Sequence, residues 1–172
     1  TAWRYPIAFF RQIQNTILVL TQSPQLVQAW HNLPKNIDFR LYVDGDFDSV
    51  DTVDFWFGLC KQRPDINVYG YSKSWQQLLE YSGTYPTNYK LNLSSGHNHD
   101  KQTKERVSSL PITRGEFITL PVNKKVIGKY GTKEYKQSLK QSANTADIGR
   151  YFACPGKCGD CTKKGHACGS ES

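Results

Sequence analysis

The 172-residue sequence contains no methionine and no apolar run approaching the roughly 18 to 20 residues that a membrane-spanning helix needs. Its longest aliphatic stretch, Ile17-Leu18-Val19-Leu20, follows a polar Gln-x-Gln-Asn lead rather than the basic lead of a secretory signal. Neither a membrane span nor a signal segment is therefore expected. Starting at Thr1 with no methionine, the chain reads as a fragment or processed product, which leaves room for a preceding piece with a role of its own. Spread-out cysteines are missing too: Cys60 stands alone, whereas Cys154, Cys158, Cys161 and Cys168 crowd together near the end. A secreted disulfide framework would scatter them to tie distant segments together. The odd, clustered count favours a reducing compartment and a metal, with the cytoplasm of a cell, an infected host included, as the expected location.

What is present is a globular composition. Hydrophobic residues make up 38% and aromatics 13%, in a chain long enough to bury a core without crosslinks. The net charge of +7 is localised. Residues 1–123 hold 12 Lys and Arg against 11 Asp and Glu, a balance of +1, and residues 124–172 hold 10 against 4, a balance of +6. The Lys-rich C-terminal third would attract phosphate or acidic partners, nucleic acid among them, by a screened and sequence-blind force. The plainer alternative is a solvated face that keeps the protein soluble.

Hydrophobic spacing gives the elements. Residues 6–20 read as a helix, and Ser23 caps a second that has Pro24 at its first position and runs to about Trp30. Residues 37–43 form a strand, broken by Asp44-Gly45-Asp46-Phe47. Asp48 or Ser49 then caps a helix whose stripe is Val50, Val53, Phe57 and Cys60, ended by Pro64. The rhythm repeats with a strand at 66–71, a helix at 75–81 and a strand at 89–94. A fourth strand is expected at 117–121 and a helix around 133–141. Strands alternating with helices predict an α/β fold, a small and mainly parallel sheet built from βαβ units. Residues 1–150 would form that domain, and residues 151–172 a cysteine-rich metal-binding tail packed on it.

In such sheets the loops after the strands' carboxyl ends share one edge, where ligands bind. Those loops hold Asp44, Asp46 and Asp48; Ser72 and Lys73; and Ser94, Ser95, Gly96, His97 and His99. From this set Asp44, Asp46, Ser72, Lys73, Ser95 and His97 make the candidate ligand site. Capping accounts for Asp48 and Asp51. A calcium loop is excluded because Ser49 and Phe55 stand where a glycine and a glutamate are required. No nucleophile elbow is present, and whether the chain is an enzyme stays open. Trp30, Trp56 and Trp75 are expected in the core.

The cysteine run has the spacing Cys-x3-Cys-x2-Cys-x6-Cys. Four thiolates so close repel one another unless a cation neutralises them, and a bound metal holds each deprotonated. A [4Fe-4S] cluster is the first reading, because closely wrapped backbone suits ligands at separate corners of a cubane. Zinc is the alternative: Cys158-x2-Cys161-x4-His166 resembles three ligands of a retroviral-type zinc knuckle, although Glu171 stands where the knuckle's last cysteine would fall. Cys-x3-Cys-x2-Cys is also the spacing of radical S-adenosylmethionine enzymes, whose motif lies early in the chain rather than at its close.

The sequence further resembles the bacteriophage "gene product 88" family. The resemblance rests on Phe39-Arg40-Leu41-Tyr42-Val43-Asp44-Gly45-Asp46-Phe47, with Asp44 where the family usually has Ser. It continues through Phe55-Trp56, Pro64, Tyr69-Gly70-Tyr71-Ser72-Lys73-Ser74 and the cysteines after Cys154-Pro155. It implies a phage or prophage origin and a metal-binding tail, and it supplies no activity. The resulting expectation is a phage-encoded iron–sulfur protein whose cluster is structural or redox-active, with the strand-end loops as a ligand site. The alternative is a zinc-stabilised nucleic-acid-binding protein that uses the basic C-terminal third.

Overall fold

The computed structural model describes residues 5–43, 45–117, 128 and 132–142. Asp44, the cysteine tail and all but the first residue of the strand expected at 117–121 lie outside the described residues. Within them the chain runs α1 (Pro6–Leu20), α2 (Pro24–His31), β1 (Asp38–Leu41), α3 (Val50–Gln62), β2 (Asn67–Ser72), α4 (Trp75–Glu80), β3 (Tyr89–Ser94), α5 (Lys101–Ser108), β4 (Thr113–Phe117) and α6 (Lys133–Ser142). The four strands form one parallel sheet in the order β1-β2-β3-β4. The α/β class and the parallel sheet expected from the sequence are both present.

Local chemistry sets the ends of these elements. Ser23 accepts from the Gln25 amide at 3.3 Å and Ser49 from the Thr52 amide at 3.1 Å, and both α1 and α2 begin with proline. β1 is shorter than its apolar run because Tyr42 adopts φ +56°, a left-handed turn that ends the extended backbone. Two departures from the sequence reading concern α5 and β4. Helix α5 is capped by Asp100, which accepts from the Thr103 amide at 2.7 Å, but buries only Val107. Strand β4 lies at Thr113–Phe117 and includes Gly115 and two charged residues.

A sheet whose strands follow chain order, with crossovers of one hand, carries its helices on one side. The contacts agree with this. Trp30 of α2 packs edge-on against Phe39 at 5.2 Å, Phe57 of α3 lies 5.2 Å from Tyr89, and Thr113 bonds the Val107 carbonyl of α5 at 2.7 Å. The core between this side and the helices includes Leu41, Val53, Phe57, Cys60, Leu78 and Leu91. Val53, Phe57 and Cys60 of the anticipated α3 stripe are fully buried, and Val50 is half-buried. Trp30, Trp56 and Trp75 are buried too.

Two polar anchors fasten the layers. The Arg63 guanidinium makes a two-point bond to Asp65 at 2.8 and 2.7 Å and also donates to the His31 and Leu33 carbonyls at the end of α2. Asn88 donates to the carbonyls of Cys60, Arg63 and Ile66, pinning the end of α3 to the start of β3. Helix α1 differs from the rest: it buries no residue, and Ile7, Phe10, Ile17 and Leu20 stay more than half exposed.

Candidate functional site at the strand ends

The loops after β1, β2 and β3 meet at the carboxyl edge of the sheet, as parallel topology requires. Asp46, in the first loop, joins it to the second. Its Oδ1 accepts from its neighbour's amide, Phe47 N, at 2.8 Å and from Ser72 Oγ at 2.7 Å. Its Oδ2 accepts from the amides of Lys73 at 2.6 Å and Ser74 at 3.2 Å. Ser72 is buried and uses its remaining capacity to accept from the Ser74 amide at 2.9 Å. One carboxylate thus fixes the shape of the β2–α4 turn from across the sheet.

The second loop is tied to the third by its lysine and by a histidine. Lys73 Nζ donates to the Gly96 carbonyl at 3.3 Å, and Gly96 takes φ +70°, where a side chain would be strained. His99 Nε2 lies 2.7 Å from the Lys73 carbonyl, which can only accept, so Nε2 carries a proton. The Ser95 amide donates to the Phe117 carbonyl at 2.9 Å, bringing the end of β4 to the same edge.

The two imidazoles share a floor. The Trp75 indole is fully buried and donates to the Ser72 carbonyl at 2.9 Å, and its ring centroid lies 3.9 Å from that of His97 and 4.8 Å from that of His99. His97 Nδ1 accepts from the His99 amide at 3.3 Å, which leaves His97 Nε2 and His99 Nδ1 for other partners. Asp46, Ser72, Lys73, Ser95 and His97 are therefore gathered along one edge. Trp75 was expected only as core, and its role as a stacking floor was hidden because ring contacts between loops leave no mark in spacing.

Tyr42 closes the β1 side. Trp56 Nε1 donates to its hydroxyl at 3.1 Å, and burial, the largest cause, pushes the phenol up to about 12. It is a neutral spacer near neutral pH. Among the described residues no group of three or more His, Cys, Asp or Glu side chains converges as a metal site. The edge can stack a planar group on its imidazoles and offer it ring nitrogens as hydrogen-bond partners.

A family model described as Gene product 88 matches residues 4–170, nearly the whole chain. The chain belongs to this family. The match runs through the strand-end loops and through all four clustered cysteines, so both features lie within the Gene product 88 region. No curated protein and no solved structure matches the chain. No helix among the described residues is long and apolar enough to cross a membrane.

Proposed function

We propose that this Gene product 88 protein is a phage-encoded iron–sulfur protein of the host cytoplasm, in which Cys154, Cys158, Cys161 and Cys168 ligate a [4Fe-4S] cluster. The observation that carries this reading is the donor set itself: four thiols within fifteen positions, interleaved with Pro155, Gly156, Gly159 and Gly165. Thiolates are the ligands such clusters take, and the small residues allow tight wrapping of backbone. The cluster, when bound, supplies one-electron chemistry or a structural crosslink. In the described domain the strand-end loops are tied to one another by Asp46, Lys73 and His99. Those loops serve as the ligand site of the proposal.

A second reading is favoured by the +6 balance of residues 124–172 and the knuckle-like Cys158-x2-Cys161-x4-His166 spacing. In it the same segment binds zinc and the protein binds nucleic acid. Anaerobic purification followed by iron, sulfide and zinc analysis separates the two. Iron and sulfide in equal amounts, with absorption at about 400 nm that bleaches on reduction, is the expected result. Stoichiometric zinc in a colourless protein would establish the second reading, and absence of both metals would reject the pair.

A further inference from the structure

We propose that α1 is a dimerisation helix, whose exposed seam of Phe10, Ile13, Ile17 and Leu20 packs against the same seam of a second copy of this chain. Helix α1 buries none of its 15 residues. Ile7, Phe10, Ile17 and Leu20 are more than half exposed, and Phe9 and Ile13 are each 41% exposed. Large apolar side chains gathered on one helix, rather than scattered singly, mark an interaction surface.

Spacing identifies the occupant as a helix. The seam residues follow one another at intervals of three, four and three, the a/d spacing by which helices pack side by side. At about 100° per residue they share an arc of about 80°. Val19, which packs against the core, lies about 100–180° from them, so the seam points away from its own domain. Gln14 and Thr16 take the e and g positions beside the seam, and both are exposed and uncharged.

Charge and area select a second copy. Arg11 is the one charged residue of α1, so the helix offers little to an acidic or basic partner. Helices that lie on lipid carry a cationic polar face, which α1 lacks. The neutral e and g positions let two copies meet without like-charge repulsion, and two-fold pairing of identical surfaces is the commonest form of self-association. Six side chains exposed at 41–74% amount to on the order of 500 Å² per copy, and on the order of 1,000 Å² for two. That is the lower end of a specific interface, so the dimer should dissociate in the range of roughly 1–100 µM. The proposal is independent of what the cysteines bind.

Sedimentation velocity of the full chain, purified anaerobically with reductant and run over about 1–200 µM, tests this. The expected result is a monomer–dimer equilibrium. Phe10→Glu/Ile17→Glu should raise the dissociation constant at least about a hundredfold, giving monomer throughout. Both positions are exposed in the single chain, so circular dichroism and the urea midpoint should stay as in the wild type. Arg11→Gln, outside the seam, should leave the equilibrium unchanged. If the double variant fails to fold, Ile13→Ala and Ile17→Ala decide, each weakening the dimer about tenfold. A wild-type monomer at every concentration, or a dimer that survives in the folded variants, would overturn the proposal. So would a wild-type monomer whose urea midpoint falls in the double variant, which would assign the seam to other residues of the same chain. A monomer that floats with phosphatidylcholine vesicles, and ceases to in the double variant, would overturn it in favour of a membrane surface.

Discussion

Replacing Asp46 by alanine tests whether the strand-end loops are held by this one carboxylate. Four donors lose their acceptor: the amides of Phe47, Lys73 and Ser74 and the hydroxyl of Ser72. Hydrogen bonds to a charged group contribute about 1.5–3 kcal/mol each when both partners are buried. The full sum overstates the loss here. Lys73 is exposed, so water replaces the acceptor at its amide, and Ser74 N keeps Ser72 Oγ at 2.9 Å. The buried Ser72 hydroxyl and the Phe47 amide carry most of the loss, and we expect Asp46→Ala to destabilise by about 2–4 kcal/mol. That is a large share of the roughly 5–15 kcal/mol typical of a domain.

Asn is the sharper control. Both carboxylate oxygens accept from two donors, and an amide NH₂ placed on either side would confront donors with a donor. Asp46→Asn should therefore come within about 1 kcal/mol of the alanine variant. Asp48→Ala, which removes one bond to Thr52 Oγ1 at 2.6 Å, should lose only about 0.5–1.5 kcal/mol. Equilibrium urea denaturation followed by tryptophan fluorescence measures all three. An Asp46→Asn protein as stable as the wild type would refute the argument, and the carboxylate would then be assigned to a ligand rather than to the fold.

A Cβ on Gly70 would sit 2.6 Å from the Tyr89 hydroxyl and 3.4 Å from the Leu41 carbonyl, so Gly70→Ala should cost about 1–3 kcal/mol in the same assay, and Gly70→Ala/Tyr89→Phe should recover part of it. The Arg63 side chain, by its hydrogen bonds, lowers the Asp65 carboxyl to about 2 from its usual 3.8. The stability this pair contributes is therefore present above about pH 4 and lost as pH falls towards 2, so the deficit of Asp65→Asn in denaturation series should shrink over that window. Burial, its main cause, raises the Cys60 thiol to about 12, so in native protein a thiol reagent should reach Cys60 only on unfolding. Serine at positions 154, 158, 161 and 168 together should abolish metal content; retained stoichiometric metal would refute the assigned ligands.

Strands β1 to β3 and helices α3 and α4 were legible because each strand is an apolar run closed by a loop and α3 carries a stripe at helical spacing. Helix α5 was not, because Val107 is its one buried residue and the Asp100 cap alone marks its start. The start of β4 before Phe117 was missed for a related reason, and the residues expected for the strand after Phe117 lie outside the described residues. Thr113–Phe117 contains Arg114, Gly115 and Glu116, whereas the β-branched cue points to the residues after it. An edge strand carries less of the core, so its residues need not advertise it. At the site, sequence placed the right loops on one edge but could not pair them. That Asp46 meets Ser72, or that two imidazoles lie on Trp75, depends on sheet register and on α4 beginning directly after β2.

That pairing decides which groups remain for chemistry. Asp46 and Ser72 are the most polar members of the edge, yet their bonds are directed at each other and at the turn before α4. Lys73 spends its amide and carbonyl on Asp46 and His99 and reaches Gly96 with its ammonium. The residues that look most catalytic in the sequence thus act as ties. The freedom to bind passes to His97 Nε2 and His99 Nδ1, held in place by the indole beneath them. A ligand at this edge would meet two fixed imidazoles rather than a mobile carboxylate, so histidine substitution should impair its binding without the loss of stability that removal of Asp46 brings.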